Sequence, residues 1–160
     1  MGRCRPTMDD WVDELSRGNV AQVKTVLATV VMALAVYQVI LMAVGYGKVR
    51  PRFLKPKAAS FTHRAVGDAL IAIAILVAFM CWSYFEIGDG IEHAADGETT
   101  RATIHVIAGF ASLAVIGLKV TVVRWWRAAD RFLPAIGLTL FTLLGITWVT
   151  SAGDYLWGSA

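Results

Sequence analysis

Four apolar stretches dominate the chain: Val20 to Tyr46, Thr62 to Phe85, Ala102 to Val123 and Phe132 to Leu156. Polar and charged residues collect between them. Each stretch exceeds the ~20 residues that a helix needs to cross roughly 30 Å of hydrocarbon. The pattern therefore predicts an all-α integral membrane four-helix bundle over residues 20–156, preceded by a tail over residues 1–19. With most of the chain in four spans, no room is left for a soluble catalytic domain. Any chemistry is expected inside the bundle or at its rims.

Composition strengthens this reading. The 160 residues are 57% hydrophobic with a mean hydropathy of +0.59. Charged residues make up 17%, against roughly a quarter in soluble domains. Arg3 and Arg5 are followed by Asp9, Asp10, Asp13 and Glu14 rather than by an apolar core, so a cleavable signal is not expected. Met8 to Leu15 reads as a short interfacial helix capped by Thr7, with Trp11 at the headgroup level. Cys4 and Cys81, the two cysteines, form neither a disulfide framework nor a zinc spacing.

The charges sort by connection. Lys48, Arg50, Arg52, Lys55, Lys57 and Arg64 make the first basic; Arg124, Arg127 and Arg131 against Asp130 make the third net positive. The second carries Glu86, Asp89, Glu92, Asp96 and Glu98 against Arg101. By the positive-inside rule the basic connections face the cytoplasm, so an up-down-up-down bundle with both termini outside is expected, in the inner (cytoplasmic) membrane. Trp82, Tyr84, Tyr155 and Trp157 at one rim, and Trp125 and Trp126 at the other, fit interfacial belts. The pI near 9.1 reflects these loops and contact with the lipid bilayer, not nucleic-acid binding.

The second and third spans run antiparallel in this scheme, so residues whose numbers add to a constant lie level. Asp68 and Lys119, the acid and the lysine well inside those spans, come near one depth and are expected to form an ion pair, because isolated charge in hydrocarbon is costly. The pair would either pin the helices or serve proton delivery or a cofactor carboxylate. His105 comes level with Met80 and Cys81. An imidazole and a thioether on facing helices are the axial donors that a low-spin haem iron accepts. Each intramembrane histidine is followed one turn on by glycine, His105 by Gly109 and His63 by Gly67, which would clear space for a flat macrocycle. The blander alternatives are a rim histidine bound to a carbonyl and a methionine that fills apolar packing. His63 lies 17 residues from Met80, about 25 Å along a helix axis, too far to share an iron with His105. With Arg64 it would contact a quinone or a haem propionate, or simply snorkel. His93 reads as a solvated loop residue.

The run Thr62-His63-Arg64-Ala65-Val66-Gly67, the triplet Met80-Cys81-Trp82, His105 with Gly109, then Lys119, Arg124 and Thr150-Ser151-Ala152 resembles a small bacterial four-helix membrane family. More loosely the chain is similar to b-type cytochromes of the cytochrome b561-like group. That resemblance implies haem b between helices and electron exchange with quinones. Met80 stands where the pattern has histidine, which implies either histidine–methionine ligation or a member that has lost haem.

Two functions are thus expected in competition. One is a membrane electron-transfer protein or quinone-linked oxidoreductase subunit, with one haem b near the outer face held by His105 and Met80. There Gly109 lies beneath the ring, Arg101 meets the propionates, and Trp148 or Thr150 closes the pocket. The other is a haem-free accessory subunit of a larger energy-transducing complex, with Gly137 and Gly145 permitting close helix contact. Partners would be other membrane redox subunits or further copies of the chain.

Overall fold

The computed structural model describes residues 19–49, 51–52, 55–84 and 96–153, together with 14, 17 and 156. It is all-helical. Helix α1 spans Val20–Gly45, α2 Pro56–Tyr84, α3 Asp96–Trp125 and α4 Leu133–Trp148. A 3-10 segment, Arg127–Phe132, joins α3 to α4, and a π-helical turn, Val149–Gly153, continues α4. All four helices are long and apolar enough to cross a membrane, the fourth when taken through to Gly153. The chain is a multi-pass membrane protein built as a four-helix bundle.

Helix is the local answer here because lipid offers no partner for backbone N–H and C=O groups, so each segment must satisfy its own. That requirement overrides the modest helix propensity of the Val and Ile that fill these stretches. The ends carry ordinary signals. Pro56 opens α2, where its missing N–H is not needed. α1 closes in a Schellman turn: Lys48 N–H returns to the Ala43 carbonyl and Gly47 N–H to the Val44 carbonyl. Gly47 takes the positive φ of 70° that this turn demands.

The observed bounds depart from the expected ones. α2 begins at Pro56 rather than at Thr62, and α3 at Asp96 rather than at Ala102. Hydropathy marks where the hydrocarbon starts, but the helix carries on into the polar margin. The fourth span is not α-helical throughout, since its last turn is π. Most of the expected tail helix, together with Cys4, His93, Tyr155 and Trp157, lies outside the described residues.

A central core draws on every helix: Val31 and Ala35 from α1, Leu70 and Ala74 from α2, Ile116 from α3, Leu140 and Leu144 from α4. α1 packs most extensively on α2, and α3 on α4; α1 against α4 follows, while α2 and α3 touch sparsely. Between α2 and α3 the edge-on ring contact of Trp82 with Phe110, centroids 6.3 Å apart, is one meeting point. Large apolar side chains such as Phe61, Ile75, Ile107, Leu118 and Trp125 point outward. In water such a surface would aggregate; in a bilayer it is the solvated face.

Candidate functional site

His105 is placed by the π turn. The Thr147 carbonyl, just before that turn, is shared by two side chains: Ser151 Oγ donates to it at 2.9 Å, and His105 Nδ1 lies 3.2 Å from it. The same Nδ1 is 3.1 Å from Thr150 Oγ1, whose hydroxyl has the Ile146 carbonyl at 2.8 Å. A hydrogen bond to the Thr147 carbonyl puts the proton on Nδ1 and leaves the lone pair on Nε2, whereas the Thr150 hydroxyl can serve either tautomer. Arg101 Nη1 donates to the Thr150 carbonyl at 3.3 Å, one turn before His105. Two residues of α3 thus hold the π turn of α4.

The other helices contribute to the same end of the bundle. The Lys24 ammonium on α1 acts electrostatically on both His105 and Cys81, which puts the three groups in one neighbourhood. Trp148 Nε1 donates to Thr29 Oγ1 at 3.1 Å, and Thr29 Oγ1 to the Thr25 carbonyl at 2.8 Å, tying α4 to α1. Cys81 is a half-buried free thiol. Met80 is 2% exposed and packs with Val20, Val23 and Leu27 of α1. The side chains of Met80 and His105 therefore engage different helices, α1 and α4, although both stand at this end. Arg101 is engaged by α4 as well.

The opposite end is built differently. His63 is half-buried, and its backbone carbonyl, not its ring, is bound: Gln38 Nε2 donates to it at 2.8 Å. Since that bond fixes the amide nitrogen, the remaining amide atom of Gln38 is Oε1. Gln38 Oε1 and His63 Nδ1 are both buried without a partner among the described residues. The Lys119 and Arg64 cations act on the His63 ring. Arg64 is exposed and, with Lys57, Ser60 and Phe61, lines an open groove of about 370 Å³.

The expected Asp68–Lys119 ion pair is not formed. Asp68 is exposed on α2, whereas Lys119 is half-buried and acts on His63. Equal depth was only half of the requirement: the two side chains must also face each other around their helices, and α2 and α3 meet too sparsely to bring those faces together. The two glycines also part company. A Cβ at Gly67 would stand 3.3 Å from Gln38 Nε2, so this glycine makes room for a side chain of α1. At Gly109 the nearest atom would be Thr147 Cγ2 at 4.0 Å, an ordinary contact. Gly137 and Gly145 face Met42 and Met32 of α1, so they serve packing inside the chain.

Among the described residues no three His, Cys, Asp or Glu side chains converge as a metal cage. Gln38, Lys24 and Thr147 went unnoticed as site residues. For Gln38 a signal existed, an amide in the middle of an apolar span; for Thr147, whose backbone carbonyl does the work, none did.

A family profile matches residues 3–159 of the chain. The chain belongs to DUF6529, a family of unknown function. No curated protein and no solved structure matches this DUF6529 member. The polar end around His105 and the π turn is therefore described from its own geometry.

Proposed function

We propose that this DUF6529 protein is a membrane electron carrier. It binds one haem b at the His105 end and exchanges electrons with a quinol or a neighbouring redox subunit. The observation that carries this reading is the His105 ring, tied at Nδ1 by the Thr147 carbonyl with Nε2 left over. Metal-ligating histidines are held in this way, because the outer hydrogen bond fixes the tautomer and aims the other nitrogen. Arg101 steadies the turn that holds His105. Met80 is the thioether donor on α2, and it reaches an iron only by leaving its packing against Val20, Val23 and Leu27. The bound group supplies reversible one-electron transfer, and the protein supplies ligand, burial and position.

The quinol partner belongs at the opposite end, beside His63 and Arg64. Buried, unpartnered polar atoms at Gln38 and His63 support a polar ligand there. The bundle is read as up-down-up-down with both termini outside and the basic connections in the cytoplasm, in the inner (cytoplasmic) membrane. The pairings Gln38–His63, Thr29–Trp148 and Arg101–Thr150 are those of antiparallel neighbours and support that order.

A second reading is favoured by the packing of Met80 and by the His105 ring lying against a backbone carbonyl: a haem-free accessory subunit of a larger membrane complex. One experiment separates the two. The protein is purified in mild detergent from its native membrane, and a dithionite-reduced minus oxidised spectrum is recorded with a pyridine haemochrome assay. The carrier reading expects one haem b per chain, with a spectrum altered in Met80→Ala. A folded preparation without haem makes the accessory reading correct.

A further inference from the structure

Helix α2 begins in the polar margin and carries a row of four side chains across the hydrocarbon edge. Lys57, Ser60, Phe61 and Arg64 follow the i, i+3, i+4, i+7 spacing of one helix face. All four are exposed, and together they line the open groove of about 370 Å³. The apolar stretch starts at Thr62, so Lys57 and Ser60 stand on the polar side of that edge and the Arg64 backbone about 3 Å below it. Helical side chains tilt toward the N-terminus, which in α2 is the polar side, so the Arg64 guanidinium is carried up toward the level of Ser60. Asp68, one turn deeper, does not neutralise it. A cation followed by an acid four residues on is the weaker order for a helical pair, and among the described residues no ion pair joins the two. The end of α1 backs the row, since a Cβ on Gly45 would stand 3.4 Å from Ser60 Oγ.

Depth and charge name the occupant. Phospholipid headgroups lie at this level of a bilayer, and a phosphodiester accepts hydrogen bonds from an ammonium, a guanidinium and a hydroxyl together. Phe61 is 75% exposed at the same edge; a glycerol and the first methylenes of an acyl chain would cover it, whereas a free phosphate ion would not. A second copy of the chain would bring the wrong sign. At this end its exposed Lys48, Arg52, Lys55, Arg124 and Arg131 are cations, and the two connections hold one acid, Asp130. We propose that the groove is a site for one anionic phospholipid of the adjoining leaflet, its phosphodiester held by Lys57, Ser60 and Arg64 and its glycerol end laid on Phe61. A zwitterionic headgroup carries its own cation and gains less from the pair. The buried Gln38 and His63 atoms are not part of this lining, so the site is independent of the haem and quinol readings.

The test uses the full chain in nanodiscs of phosphatidylcholine doped with phosphatidylglycerol, with the lipids that stay bound counted by native mass spectrometry. Phosphatidylglycerol is expected to be retained over phosphatidylcholine by roughly 30-fold, the effect of two cations on one anionic headgroup. In the double variant Lys57→Gln/Arg64→Gln that preference should be largely lost. Arg124→Gln/Arg131→Gln removes as much charge from the same end but outside the groove, and should keep it. Circular dichroism and thermal melting establish that both variants remain folded. Equal retention of the two lipids overturns the proposal. So does a preference lost equally in both double variants, because the lipid would then answer to the diffuse field of the basic end. Displacement of the lipid by millimolar inorganic phosphate overturns it as well, since the ligand would then be a free anion.

Discussion

The two ends of the bundle carry the same local motif, a histidine followed one turn later by glycine, yet they use it in opposite ways. At the His105 end the ring is the bound part: α4 takes hold of Nδ1 and leaves Nε2 over. At the His63 end the backbone is the bound part, and the half-buried ring has a buried Nδ1 with no partner among the described residues. The glycines follow suit, Gly67 admitting Gln38 at close range while Gly109 meets only a methyl group at ordinary distance. A motif of two residues therefore fixes a helix face but not a role. The role is set by what the neighbouring helix offers: a carbonyl and a hydroxyl beside the π turn of α4, or a glutamine amide on α1.

This contrast can be broken or sharpened by five substitutions. The largest effect is expected for His105→Ala, which removes the proposed ligand together with its hydrogen bonds to α4 and the π turn. Haem content should fall to background, whereas His63→Ala should leave it at the wild-type level. Thr150→Val comes next. It deletes the hydroxyl beside Nδ1 but keeps the Thr147 carbonyl, and outer-shell losses of this kind cost about 10-fold or more in affinity; haem titration of the apoprotein measures it. Gly67→Ala should lower stability by about 1 kcal/mol, because the added Cβ presses on Gln38 Nε2 and disturbs its bond to His63. Detergent unfolding followed by circular dichroism reads that loss. Gly109→Ala should be the mildest, within about 0.5 kcal/mol of wild type. If it instead abolishes haem while leaving the melting temperature unchanged, Gly109 clears the macrocycle, as the sequence pattern suggested.

Much of the architecture was legible before any coordinates. Apolar length alone marks four spans in a chain this rich in Val, Leu, Ile and Ala, since the lipid environment leaves helix as the only self-sufficient backbone. α2 and α3 begin before the expected spans because helix continues past the hydrocarbon edge, through Lys57 to Ser60 and through Asp96 to Arg101. The meeting of His105 with Thr150 was legible from their places near one rim of the bundle. What could not be read was rotation about the helix axes. Asp68 and Lys119 were matched by depth, but one faces outward and the other acts on His63. Nor could the π turn be foreseen, since Val149-Thr150-Ser151-Ala152-Gly153 carries no pattern that separates it from a last α-helical turn.

The central claim is that the two histidines divide into a ligand and a non-ligand. Pyridine haemochrome quantification of the wild type, His105→Ala and His63→Ala, purified side by side from the same membranes, tests it most directly. The account predicts one haem b per chain in the wild type and in His63→Ala, and none in His105→Ala. Haem retained in His105→Ala, or lost in His63→Ala with the fold intact, would contradict it.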